Sequence, residues 1–151
     1  MRKLVIAALS TALALTVWVP TATASADQQA PKPIRITKVM YDPPGPDTGT
    51  NVQLNREWVA IKNFGQQTRQ LRGWTLRDTA GNVFDFPRFR LRAGTTVRVH
   101  TGDGQATRHD LYWGIGKYVW NNTGDRATLR NRDGRLIDRC RWGDGDGFKL
   151  C

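Results

Sequence analysis

His100 and His109 are the only histidines in the chain. With Asp103 and Asp110 nearby, they are the residues from which a metal site or a general base would be drawn. Their setting argues for an ordinary role: His100 continues the alternation of Val97 and Val99 and so points away from a core, while His109 sits in a Gly/Thr/Asp loop. A metal-dependent nuclease is the enzyme class these residues would suit best, and it would need more convergent carboxylates than the sequence places there. Nucleophilic catalysis is narrower still. Serine occurs only at Ser10 and Ser25, both in an N-terminal leader, and a Cys140–Cys151 pair would leave no thiolate. Serine and cysteine hydrolases are therefore excluded, and the chain is expected not to be an enzyme.

Oxygen ligands offer a second chemistry. Asp42, Asp47, Asn51, Asn55 and Glu57 flank one long loop, and Glu57 is the only glutamate in the chain. Such a set would suit Ca²⁺, although the spacing is not that of an EF-hand. Asp and Asn also structure loops by capping backbone groups, or contact a ligand directly, and the sequence leaves these readings side by side. Asp144-Gly145-Asp146-Gly147 is a weaker version of the same idea, and the sequon at Asn121-Asn122-Thr123 receives no role. No metal or other cofactor is expected beyond this Ca²⁺ candidate.

Charge says more. Lysine and arginine number 23 against 13 acidic residues, a net charge of +10 at pH 7. Removing a leader that carries Arg2 and Lys3 leaves an excess of about eight, which favours polyanionic partners. Arg88, Arg90 and Arg92 alternate with Phe89 and Leu91, so they are expected on one strand face, extended by Arg98 and His100 on the next strand after a turn at Ala93-Gly94. Arg126, Arg130 and Arg132, with Arg135, Arg139 and Arg141 on a partner strand, would form a second stripe. Either stripe would neutralise several charges of a linear polymer. The plainer reading is a solvated strand face that discourages edge pairing. Tyr112-Trp113, in a Gly-rich stretch, is a candidate stacking platform for a sugar or a base.

These residues need elements to hold them. Arg2-Lys3, the apolar run from Leu4 to Val19 and the small residues Ala24-Ser25-Ala26 read as a cleaved signal peptide over 1–26, too short and too interrupted to span a membrane. Residues 27–33 read as a flexible leader, 34–142 as one domain, and 143–151 as a Gly-rich tail tied back by a disulfide. An even pair of cysteines in an exported chain suits an oxidising compartment. Within the domain, short period-two alternations lie between turn signals and none shows a convincing helical stripe. They are Ile34 to Met40, Trp58 to Lys62, Leu71 to Arg77, Val83 to Phe86, Phe89 to Leu91, Thr96 to Thr101, Tyr118 to Trp120, Arg126 to Arg130 and Arg135 to Trp142. That pattern predicts an all-β antiparallel sandwich or barrel. Its inward set is Ile34, Ile36, Val59, Ile61, Trp74, Leu76, Phe84, Phe86, Leu91, Val97, Val99, Ala127 and Leu129.

Several runs in order resemble the lamin-tail domain as found in exported bacterial proteins. They are Ile36 to Asp47, Leu54 to Asn63 (Leu-Asn-Arg-Glu-Trp-Val-Ala-Ile-Lys-Asn), Leu71 to Asp78, Leu91 to Gly94, and Trp120-Asn-Asn-Thr-Gly-Asp125. The resemblance implies an immunoglobulin-like β-sandwich and a binding or interaction module rather than an enzyme. The combined expectation is a secreted, non-catalytic module recognising an anionic polymer: a cell-wall polymer, an acidic glycan or nucleic acid. Its candidate contacts are Arg88, Arg90, Arg92, Arg98, Arg130, Arg139, Tyr112 and Trp113. A surface protein as partner, or a metal-dependent hydrolase, are the alternatives from other classes; the oligomeric state is not set by the sequence.

Overall fold

Alternating apolar positions along each short segment give the strands one wet and one dry face, and two sheets meet through the dry ones. A computed structural model describes residues 32–151; the expected signal peptide and most of the leader lie outside the described residues. The elements are β1 (Ile34–Met40), α1 (Asn51–Leu54), β2 (Trp58–Asn63), β3 (Arg69–Gln70), β4 (Thr75–Arg77), β5 (Val83–Asp85), β6 (Arg90–Leu91), β7 (Thr96–His100), β8 (Asp110–Tyr112), β9 (Gly124–Arg130), β10 (Leu136–Gly143) and β11 (Phe148–Leu150). One sheet has the order β11-β1-β2-β7-β8, a second β10-β9-β4-β5, and β3 and β6 form a separate ribbon.

Every residue expected inside is buried in a single core except Trp74, which packs against that core partly buried. The five-stranded sheet supplies Ile34, Ile36, Val59, Ile61, Val97 and Val99; the four-stranded sheet supplies Leu76, Phe84, Ala127, Leu129 and Trp142. Tyr41 stacks on Trp142 at 5.2 Å, and Trp120 meets Trp142 edge-on at 5.9 Å. The all-β sandwich is therefore present, with local departures from expectation.

β7 and β8 pair parallel, Arg98 opposite Asp110 and His100 opposite Tyr112, because residues 101–109 run back along β7 before β8 begins. A one-turn helix, α1, occupies the long loop after β1. Tyr118 to Trp120 is not a strand. The Val119 amide donates to the Glu57 carboxylate at 2.9 Å instead of to a neighbouring strand, while Val119 and Trp120 are buried. The glycine-rich tail also does more than hang from its cysteine: β11 pairs antiparallel with β1, Met40 opposite Phe148 and Lys38 opposite Leu150. Gly147 makes that return possible. Its φ is +81°, and a Cβ there would stand 2.3 Å from the Asp42 carbonyl oxygen. The expected disulfide Cys140–Cys151 links β10 of one sheet to the end of β11 in the other, with the Cα atoms 5.7 Å apart.

Candidate functional site

The arginine stripe expected across two paired strands is assembled by another route. β6 pairs with β3, whereas β7 pairs with β2 and β8, so Arg90 and Arg98 do not share a ladder. The reason is local: Asn63 takes the backbone of the intervening turn, its carbonyl accepting the Gly94 amide at 2.8 Å and its own amide donating to Thr95 at 3.0 Å. Asn63 Nδ2 also donates to the Leu91 carbonyl at 3.0 Å, peeling β6 away from β7.

Between the separated strands lies an open cleft of about 640 Å³, bordered by Arg88, Phe89, Arg90, Arg92, Arg108 and His109. Arg88, Arg90 and Arg92 come from the chain around β6, Arg108 and His109 from the loop between β7 and β8. The Arg98 amide donates to the His109 carbonyl at 2.8 Å, which fixes that loop beside β7. Arg108 Nε donates to His109 Nε2 at 3.0 Å. An adjoining recess of about 400 Å³ shares Thr95 and His109 with the cleft and adds Thr96 and Arg98. No carboxylate lines either space. Among the described residues no arginine forms an ion pair; the two ion pairs are Lys32 with Asp138 and His100 with Asp110. The contributions of Arg108 and His109 went unread in the sequence, because a loop residue's neighbours in space leave no periodic trace.

The second stripe gathers on the outer face of the four-stranded sheet. Arg126 lies opposite Arg141, and Arg139 opposite Thr128, which faces Arg77 of β4 across the other side. A shallow recess of about 220 Å³ brings Arg77, Arg126, Arg130 and Arg139 together, but it also holds Asp78. Arg130 is partly occupied, donating to the Gly134 carbonyl at 2.8 Å. This site is smaller and less purely basic than the cleft.

Of the histidine and acid candidates His100 and Asp110 meet, but among the described residues no three are gathered at one point. His100 Nδ1 lies 2.7 Å from the Asn55 carbonyl oxygen and Nε2 lies 2.9 Å from Asp110 Oδ1, so both ring nitrogens are committed to oxygen partners. Burial alone would raise the Asp110 carboxyl; the hydrogen bond and charge of His100 outweigh it and hold the group below its usual range. Asp103 joins loops instead: its carbonyl accepts from Asn51 and Asn55 side chains, and its amide donates to Asn51.

Of the Ca²⁺ set, Asp42 and Asp47 are exposed, while Glu57 is 0 % exposed and turned into the core. Its Oε1 accepts from the Thr101 hydroxyl at 2.6 Å and the Val119 amide at 2.9 Å. Its Oε2 has no hydrogen-bond partner; the Trp120 amide approaches outside hydrogen-bonding geometry. Burial pushes the carboxyl up to about 7. Glu57 is thus a structural post, and among the described residues no group of three or more His, Cys, Asp or Glu side chains is placed to hold a metal.

Tyr112 and Trp113 are not a free loop pair. Tyr112 belongs to β8 and stacks on the His100 ring at 5.1 Å, and Trp113 packs against Phe84 and Trp120, each at 5.8 Å between centroids. Rings that do stand in the open are Phe64, 45 % exposed, and Phe148, 41 % exposed. No helix among the described residues is long and apolar enough to cross a membrane, and the disulfide is the kind of bond an oxidising compartment maintains.

Comparison with curated proteins finds none that matches. Comparison with protein families does: residues 27–144 match the Lamin Tail Domain, and no catalytic family is detected. With a sandwich that agrees and a match over most of its length, the chain belongs to the Lamin Tail Domain family.

Proposed function

We propose that this protein is an exported, non-catalytic binding module that takes hold of an anionic polymer through the cleft between β6 and the loop after β7. The observation that carries the reading is the lining itself: Arg88, Arg90, Arg92, Arg108 and His109 face one open space, with Arg98 in the recess beside it and no carboxylate in either. Like charges brought together without counter-charges repel one another, and a multivalent anion relieves that repulsion as it releases its own counterions. The smaller stripe at Arg130 and Arg139 offers a polymer a secondary contact on the other sheet. Export is supported by the leader sequence and the disulfide.

Binding to duplex DNA, polyphosphate and a neutral polysaccharide, each at low and physiological salt, tests the reading. Retention on the two anionic polymers with a steep salt dependence is expected. The double variant Arg90→Ala/Arg98→Ala should reduce the salt slope on DNA by about 2, roughly one per lost phosphate contact. Equal retention on the neutral polymer, or an unaltered slope in the variant, would discard it.

A further inference from the structure

The outer face of the five-stranded sheet carries a row of planar or apolar side chains in strict register. Phe148 lies opposite Met40, Met40 opposite Trp58, Trp58 opposite His100, and His100 opposite Tyr112, one residue from each of β11, β1, β2, β7 and β8. The next row along the strands reads Leu150, Lys38, Ala60, Arg98 and Asp110 in the same order. All five cation–π contacts among the described residues fall on this face. Lys38 lies over Phe148 at 4.3 Å and over Trp58 at 5.7 Å, and Arg98 over Trp58 at 5.2 Å. Farther along, Arg35 and Lys62 lie over Phe64 at 4.0 and 4.9 Å.

Of this row only Phe148 is exposed, at 41 %; Met40 and Trp58 beside it are half-buried, and His100 and Tyr112 lie against the Asn55 and Gly104 loops. The part open to a ligand is therefore the exposed Phe148 ring next to the half-buried Trp58, with cations over both. The row is also continuous with the cleft: Arg98 belongs both to the recess beside His109 and to the face of Trp58. Resting on the proposed function, we infer that the polymer is single-stranded nucleic acid, with its phosphates in the arginine cleft and against Arg98 and Lys38 and its bases stacked on Trp58 and Phe148.

The chemistry of the face selects this occupant. Rings on neighbouring strands repeat at about 4.8 Å, so Trp58 and Phe148, two strands apart, offer stacking places about 10 Å from each other. Paired rings and cations are what a chain of alternating π faces and phosphates requires. Duplex DNA keeps its bases stacked inside and presents no π face to the row. An acidic glycan presents hydroxyls that seek carboxylates as well as cations. Among the residues of the five strands on this face, Asp110 is the only acid, and His100 engages it.

The test compares three probes on the wild-type protein and on Trp58→Ala, Phe148→Ala and Trp58→Phe: oligo-dT, an abasic deoxyribose-phosphate oligomer of equal length, and heparin. Oligo-dT is expected to bind the wild type at least about fivefold more tightly than the abasic oligomer, the lower end of what one stacked base contributes. Trp58→Ala and Phe148→Ala should each reduce that preference, Trp58→Phe should retain it, and binding of the abasic oligomer should stay unchanged in all three. Should Trp58→Ala fail to fold, the exposed Phe148 and the conservative Trp58→Phe decide the matter. Equal binding of oligo-dT and the abasic oligomer would overturn this inference and leave the arginine cleft standing, whereas no binding of any probe would overturn both. Heparin bound most tightly and weakened by Trp58→Ala would assign the face to a glycan. Concentration-dependent dimerisation lost in Phe148→Ala would assign it to a second copy. Either result would overturn the nucleic-acid reading.

Discussion

Glu57 should make this protein less stable as pH rises through neutrality, the reverse of what an ion-paired carboxylate does. The cause is its placement: burial disfavours the charge and outweighs the nearby donors, of which the Thr101 hydroxyl and the Val119 amide hydrogen-bond to the same oxygen, Oε1. A proton on the unpartnered Oε2 breaks neither bond. Below pH 4.5, the ordinary value, the carboxyl is protonated in folded and unfolded chains alike and has no pH-dependent effect. Between 4.5 and about 7 the unfolded chain releases its proton while the folded one keeps it, so stability falls; above about 7 both are ionised and the full penalty is present. Moving a carboxyl from 4.5 to about 7 corresponds to about 3 kcal/mol. Urea unfolding followed by tryptophan fluorescence at pH 5 and pH 8, in the wild type and in Glu57→Gln, measures it. Gln keeps an acceptor for Thr101 and Val119 but cannot ionise. The wild type should lose about 2.5 kcal/mol between the two values relative to the variant, part of the penalty being already present at pH 5, whatever constant offset the buried amide introduces. Identical pH dependence in the two proteins would refute the reasoning, because the two histidines and the exposed groups are common to both.

Two further perturbations address what ties the sandwich together. Cys140→Ala/Cys151→Ala removes a link spanning 11 residues of sequence, and the chain-entropy estimate for so short a loop is about 3 kcal/mol. The same variant should speed hydrogen exchange in the β1–β11 ladder, and an unchanged unfolding midpoint would mean that the ladder holds β11 unaided. Asp125 is buried and accepts from the Thr79 amide and hydroxyl, the Asn121 amide and the Arg126 amide. Asp125→Ala leaves these donors unmatched at an expected cost of about 3 kcal/mol, with Asp125→Asn recovering part of it; equal unfolding midpoints for wild type and Asp125→Ala would count against the network.

What the sequence disclosed follows from what a period of two can encode. Alternation along Thr96 to His100 fixes which side chain faces in, and burial follows it; along Ile34 to Met40 it holds only as far as Ile36, where a bulge before Lys38 turns Val39 inward and Met40 outward. It does not encode which strand lies beside which. Arg90 and Arg98, a few residues apart and on opposite sides of a glycine turn, read as hairpin partners, yet Asn63 claims the turn and sends them to different sheets. The aromatic row was hidden for the same reason. Trp58 and Phe148 stand far apart in sequence and reach one face only through β1, which pairs with both β2 and β11. Phe148 also lay in a glycine-rich segment where strand periodicity is too short to register. Glu57 misled differently: a lone glutamate beside loop aspartates resembles a ligand until it proves to point inward, a direction set by Trp58 and Val59 immediately after it.

The acids decide what the arginines can do. Several of the carboxylates that might have neutralised the surface are directed into the fold: Glu57 to Thr101 and Val119, Asp78 to Asn82, Asp125 to Thr79, Asp138 to the Ile36 amide and Lys32, and Asp110 to His100. These groups cap backbone donors or hold loops, and none of them lines the cleft or its recess, although Asp110 stands close enough to Arg98 for their charges to interact. The positive excess of the composition is in this way concentrated outside, where no described carboxylate pairs with an arginine. At physiological salt a charge acts over only about 8 Å, so separate arginines on opposite faces would act almost independently. Those that border one cleft, and Arg98 where the cleft meets the aromatic row, lie close enough to act on one ligand together. Removing an internal acid should therefore disturb the fold before it alters binding, whereas removing a cleft arginine should alter binding and leave the fold intact.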